Sequence, residues 1–246
     1  MLGEFTHFQI AFLSGAAFLA ALVRGFSGFG SALVYMPLAA QFLTPFQAIT
    51  TIVIFDLLGP LPMVRKASKE CEARDLVRLI VGLVVALPIG LYTLTRVPPE
   101  AFQYSVSVVA MLALAVFVSG IRYRGELTPP LLYATGGSAG FLHGIAGIPG
   151  PPVILLYMAS MRPVQIIRAN TFLFLFTTDI VMLPALALFG RLDPSALVLG
   201  AFLIIPNLIG ILVGSRLFRP EYEKTYRAVA YTVIAASAIS GLPIWR

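Results

Sequence analysis

Six stretches of this chain run for about twenty predominantly apolar residues between charged, Pro or Gly punctuation: Phe46 to Val64, Leu76 to Leu94, Ala101 to Ile121, Val164 to Phe189, Pro194 to Leu217 and Tyr226 to Pro243. About 20 such residues are what a helix needs to cross a hydrocarbon core of roughly 30 Å. Two further regions, Phe8 to Leu43 and Pro129 to Met161, are too long for one straight span and carry Gly-rich interruptions. Each reads as two short half-helices joined by a break. The composition leaves little alternative to lipid as solvent: 59% of the 246 residues are hydrophobic and 11% charged, against roughly half and a quarter in soluble chains.

The net charge of +6 does not indicate nucleic acid, because the basic residues sit in short gaps between apolar stretches and mark membrane sidedness. Arg65, Lys66, Lys69 and Arg74 follow the first clear span, then Arg96, then Arg122 and Arg124, then Arg191 alone, then Arg216, Arg219, Lys224 and Arg227. Rich and poor gaps alternate, which puts the Arg65 to Arg74 loop in the cytoplasm and predicts both termini outside it. Cys71 is the single cysteine, so no internal disulfide and no multi-thiolate metal site is expected. No Lys or Arg precedes Arg24, and Glu4 lies in that stretch. A secretory signal peptide would have a basic start, so the first apolar segment is expected to stay in the protein.

Shifting the chain by 118 to 119 residues aligns its halves at punctuating positions. Gly25 and Gly28 fall on Gly144 and Gly147, Pro45 and Gln47 on Pro163 and Gln165, and Asp75, Leu79, Gly82 and Pro88 on Asp193, Leu197, Gly200 and Pro206. The basic loop at Arg65 pairs with the nearly uncharged one at Arg191, so equivalent loops lie on opposite sides and the repeats are inverted. Matching Gly- and Pro-broken segments in inverted halves point to a secondary transporter with its site at the repeat interface. The expected architecture is an all-α polytopic membrane protein forming a single transmembrane domain over 1–246. Repeat one spans about 8–121 and repeat two about 129–243, each with a Gly-rich broken helix or hairpin followed by three transmembrane helices.

The paired segments RGFSGFGSALVYMPL from Arg24 and HGIAGIPGPPVILLY from His143, each followed by a proline-initiated span, resemble the TauE/SafE sulfite-exporter family of anion permeases over nearly the whole chain. The second break reads GIPGPP at Gly147 to Pro152, where the family more usually has GIGGG. The resemblance implies a multi-pass protein of the cell (inner) membrane that moves small anions, often sulfur compounds such as sulfite or sulfonates. No cofactor or metal is implied.

An unwound segment in lipid leaves backbone groups unpaired at a cost of several kcal/mol each. Half-helices beginning after Gly30 and Gly150 would aim their amides and positive dipole ends into the gap, where an anion would satisfy them. The substrate-binding set expected on this basis is Arg24, Gly25, Ser27, Gly28, Gly30, Ser31, His143, Gly144, Gly147 and Gly150. Ser138 is a further hydroxyl donor, and Pro149, Pro151 and Pro152 stiffen the second loop. Close helix packing by small residues is the competing account of the glycines. Arg24 and His143 occupy one repeat position beside the breaks; Arg24 either neutralises an anion or snorkels, and His143 is either packed or carries a proton. Arg168 invites the same two readings, and Asn170 and Asn207 are expected to bond neighbouring helices.

Asp56 and Asp179 each lie near the middle of an apolar span, where a carboxylate costs about 2.5 to 3.5 kcal/mol on insertion scales. Both are proton-coupling candidates, with a structural, hydrogen-bonded Asp as the alternative. A passive anion channel needs the same polar path as a carrier. A rhomboid-like intramembrane serine protease, with Ser27 as nucleophile and His143 as base, is the remote rival, since the repeat already accounts for the glycines. The oligomeric state is left open.

Overall fold

The computed structural model describes residues 4–58, 61–120, 126–158, 160, 162–217 and 223–244. Eleven helices and no strand occur among them: α1 (His7–Ser27), α2 (Ser31–Ala39), α3 (Pro45–Leu58), α4 (Leu61–Glu70), α5 (Ala73–Thr95), α6 (Pro99–Ser119), α7 (Pro129–Ala146), α8 (Gly150–Met158), α9 (Val164–Leu188), α10 (Pro194–Leu217) and α11 (Glu223–Ser240). Five of these, α1, α5, α6, α9 and α10, are long and apolar enough to cross a membrane. The chain is a polytopic helical membrane protein.

Local chemistry starts and stops the helices. Thr6 caps α1 by accepting from the Gln9 amide at 3.2 Å, while the Gln9 side chain accepts from the Thr6 amide at 2.9 Å, a reciprocal capping box. Thr44 and Gln47 repeat that exchange at the start of α3. Gly28 ends α1 and Gly147 ends α7 with φ of 81° and 70°, a left-handed conformation natural to glycine. Their amides donate to the carbonyls of Arg24 and His143 at 2.8 and 2.9 Å.

One outcome differs from expectation. Neither Gly-rich region is two short half-helices: α7 is 18 and α1 is 21 residues long, and only α8 and α2, with nine each, are short. Nothing between the Thr6 cap and Gly28 breaks the helix. Phe46 to Val64 falls on α3, described to Leu58, and α4, described from Leu61, with Gly59 and Pro60 between them. Both residues lie outside the described set. α4 carries Arg65, Lys66 and Lys69 and packs against α9.

Two seams of small residues hold the bundle. α1 packs along α10, and α5 along α7. A methyl group added at Gly25 would come within 2.7 Å of the Ile211 carbonyl oxygen, and one at Gly144 within 2.6 Å of the Leu91 amide. Gly82, Gly136 and Gly214 are likewise pressed against backbone of the facing helix. Such close approach lets dispersion operate where lipid removes any hydrophobic gain. Away from the seams, Val81, Val85 and Ile89 on α5 and Ile205, Ile209 and Leu212 on α10 are exposed, as faces bathed in lipid require.

Candidate functional site

The two breaks converge on one cavity. Its walls include Phe29 to Leu33 from the first break and Gly147 to Pro151 from the second, together with Arg24, Ile52, Asp56, His143, Ile154, Leu175, Thr178 and Asp179. Six helices therefore build it: the end of α1, the start of α2, the middle of α3, the end of α7, the start of α8 and the middle of α9.

The charged groups are close together. Arg24 Nη1 lies 2.7 Å from Asp56 Oδ1, and both side chains are largely buried. The Ser31 hydroxyl donates to Asp56 Oδ2 at 2.8 Å. One carboxylate is thus held between a guanidinium and the first residue of α2. Asp179, 8% exposed, interacts electrostatically with both Asp56 and Arg24. His143 is 1% exposed, and neither ring nitrogen makes a hydrogen bond of good geometry, although backbone groups of Thr178 and Gly147 are near.

Donor supply at the two helix starts is unequal. The first amides of any helix have no intrahelical acceptor, and α2 offers those of Ser31, Ala32 and Leu33. At α8, Pro151 and Pro152 have no amide hydrogen to give. The helix start richer in free amide donors is α2, which shares the cavity with Arg24.

The remaining expected residues occupy other surroundings. Gly25 and Gly144 are in the helix seams, and Gly28 caps α1 away from the cavity lining. The Ser27 hydroxyl donates to the carbonyls of Val23 at 2.6 Å and Phe29 at 2.7 Å, so it bridges its own turn and does not bond to His143. Ser138 bonds to Ala134 on an exposed face of α7. Asn170 does bond a neighbour, accepting from the Glu72 amide at 2.9 Å and donating to the Tyr157 hydroxyl at 2.8 Å. The buried Asn207 side chain makes no hydrogen bond among the described residues. Arg168 is exposed.

Sequence reasoning missed two polar links that tie helices of one half to helices of the other. Arg162 donates to Asp75 at 2.9 Å, and the Gln47 side chain donates to Asp193 at 2.8 Å. Both aspartates, and Gln47, already stood out in the repeat alignment. Burial opposes the charge of Asp193, but hydrogen bonds from Ser195, Gln47 and the Ser195 and Ala196 amides outweigh it and hold the carboxyl below its usual range.

The family profile described as sulfite exporter TauE/SafE matches residues 13–241. The chain belongs to the TauE/SafE family. A curated relative, the probable sulfite/organosulfonate exporter TauE of Cupriavidus necator, is 24% identical over 219 residues, covering 85% of this chain and 84% of that one. No solved structure matches. Membership makes this chain a membrane transporter, in a family named for export and not for catalysis. The TauE/SafE match takes in both Gly-rich breaks and every residue lining the cavity.

Proposed function

We propose that this protein is a secondary transporter of small anions in the cell membrane, with sulfite or organosulfonates as substrate and the α2 and α8 helix starts as its binding site. The observation that carries the reading is the convergence of Arg24 and two unwound Gly-rich breaks on one cavity. A cation and unpaired amides in low dielectric suit an oxyanion. The name of the Cupriavidus relative supplies the sulfur chemistry.

The inverted-repeat reading fits the packing. α1 and α7 are equivalent in the sequence repeat, as are α10 and α5, and α1 packs on α10 while α7 packs on α5. Each half lends its broken helix to the other. A site between the halves then opens to one side or the other as they rock.

Proteoliposomes test this. Saturable uptake of sulfite or sulfoacetate, driven by a gradient and without unitary currents, is expected; unitary currents would make the protein a channel. The double variant Arg24→Gln, Asp56→Asn removes the cation without stranding a carboxylate. It is expected to lose most anion uptake, and unchanged uptake would move the site elsewhere.

A further inference from the structure

The seat described above for an anion is already taken. Asp56 holds the Arg24 guanidinium at 2.7 Å and accepts from the Ser31 hydroxyl, the first donor of α2. We infer that Asp56 is a tethered competitor for the substrate, and that an anion binds only as a proton neutralises Asp56, so one proton travels with each monovalent anion. The inference rests on the anion-site reading and assigns to Asp56 the coupling role within it.

Charge balance supports it. Arg24 from α1 and Ser31 from α2 contact Asp56, the titratable groups that share its cavity are Asp179 from α9 and His143 from α7, and α10, though packed on α3, contributes no residue to the cavity lining. Arg24 is the one fixed cation in that lining, against two carboxyls. Adding an anion while Asp56 stays ionised would place two negative charges on one guanidinium in a poorly solvated site, and like charges there repel strongly. Protonating Asp56 removes its claim on Arg24. The proton comes from water on the side of entry, resides on the Asp56 carboxyl, and leaves with the anion on the other side. The site then has the same net charge before and after loading. Asp179, which has no ion-pair partner within 4 Å among the described residues, does not contact Arg24 closely enough to serve as the competitor.

The probe is ethanesulfonate, whose charge does not change over the working pH range, so any pH effect belongs to the protein. Its Kd for the purified full chain in nanodiscs would be measured between about pH 5 and pH 8, together with proton uptake on binding in weak buffer. Linkage of one proton to one anion predicts that Kd tightens by up to about tenfold per pH unit of acidification, with close to one proton taken up per anion. Asp56→Asn keeps the shape and a hydrogen bond to Ser31 while abolishing the charge; it should bind at neutral pH as the wild type binds in acid, with no pH slope. Asp179→Asn should keep a slope. A wild-type Kd independent of pH, no proton uptake, or an Asp56→Asn variant that keeps the slope would overturn the inference while leaving the anion site standing. Ethanesulfonate that fails to bind at every pH, or that binds equally to Arg24→Gln, Asp56→Asn, would overturn the anion site and the inference together. The proton-uptake measurement uses the wild type, so it decides the matter even where a variant fails to fold.

Discussion

Arg24 and Asp56 lie 32 positions apart in the chain and 2.7 Å apart in space. Removing the guanidinium alone strands a carboxylate that is 8% exposed, and breaking one side of a buried pair costs about 3–5 kcal/mol. Arg24→Gln is therefore expected to lower Tm markedly in detergent, and adding Asp56→Asn to restore most of it. Equal Tm in the single and double variants would mean that Arg24 stabilises through its stem and not its charge. The two cap glycines give a second comparison. Gly28→Ala meets no atom within 4 Å and is opposed only by its φ of +81°, a strain of about 1–2 kcal/mol. Gly147→Ala has similar strain and also presses on Met36 Cε at 2.8 Å, so it should unfold at the lower temperature of the two. Equal unfolding temperatures would show that Met36 yields freely. Residue identities announced the breaks, because glycine at Gly28 and Gly147 is what a left-handed cap asks for. They did not announce the ion pair: whether Arg24 points to lipid or to α3 depends on the rotation of α1 about its axis, which its Gly25 contact with α10 fixes and no local pattern encodes.

Among the elements, the Arg162–Asp75 and Gln47–Asp193 links each join the start of one helix to the loop before another, at two places that the sequence alignment of the halves pairs. They differ in chemistry. Asp75 is 2% exposed and pairs with Arg162 at 2.9 Å and more loosely with Arg78 at 3.8 Å, whereas Asp193 takes a neutral donor. Asp75→Asn is expected to loosen the α5–α9 contact and speed maleimide labelling of Cys71, which packs beside Ala169 and Leu173; an unchanged rate would show that the ion pair does not hold α9 against this region. Asp193 has a definite pH signature. Its carboxyl is held below the usual range, so its stabilising contribution is complete above the unfolded value near 3.9 and fades as pH falls through the lower folded value. The Tm difference between wild type and Asp193→Asn should stay constant above about pH 5 and vanish only in stronger acid. The alignment of Asp75 with Asp193 was legible in the sequence, but their partners were not, since position 162 is Arg where its counterpart 44 is Thr.

At the scale of the whole molecule, loop charge and the repeat carry one prediction together: reporter fusions or added cysteines should place the Arg65 to Arg74 loop in the cytoplasm and Arg191 outside. Both on one side would end the inverted-repeat reading. The two glycine seams have a consequence in time. α7 meets its partner α5 soon after synthesis, since little more than α6 separates them. α1 is made first, but its partner α10 is the last helix but one. At about 5–20 residues per second, α1 waits roughly 10 to 40 s in the bilayer with Gly25 and its small-residue face turned to lipid. During that interval only the neighbouring α2 is at hand to pack on α1, and the glycine face meant for Pro194–Leu217 is open to mispairing.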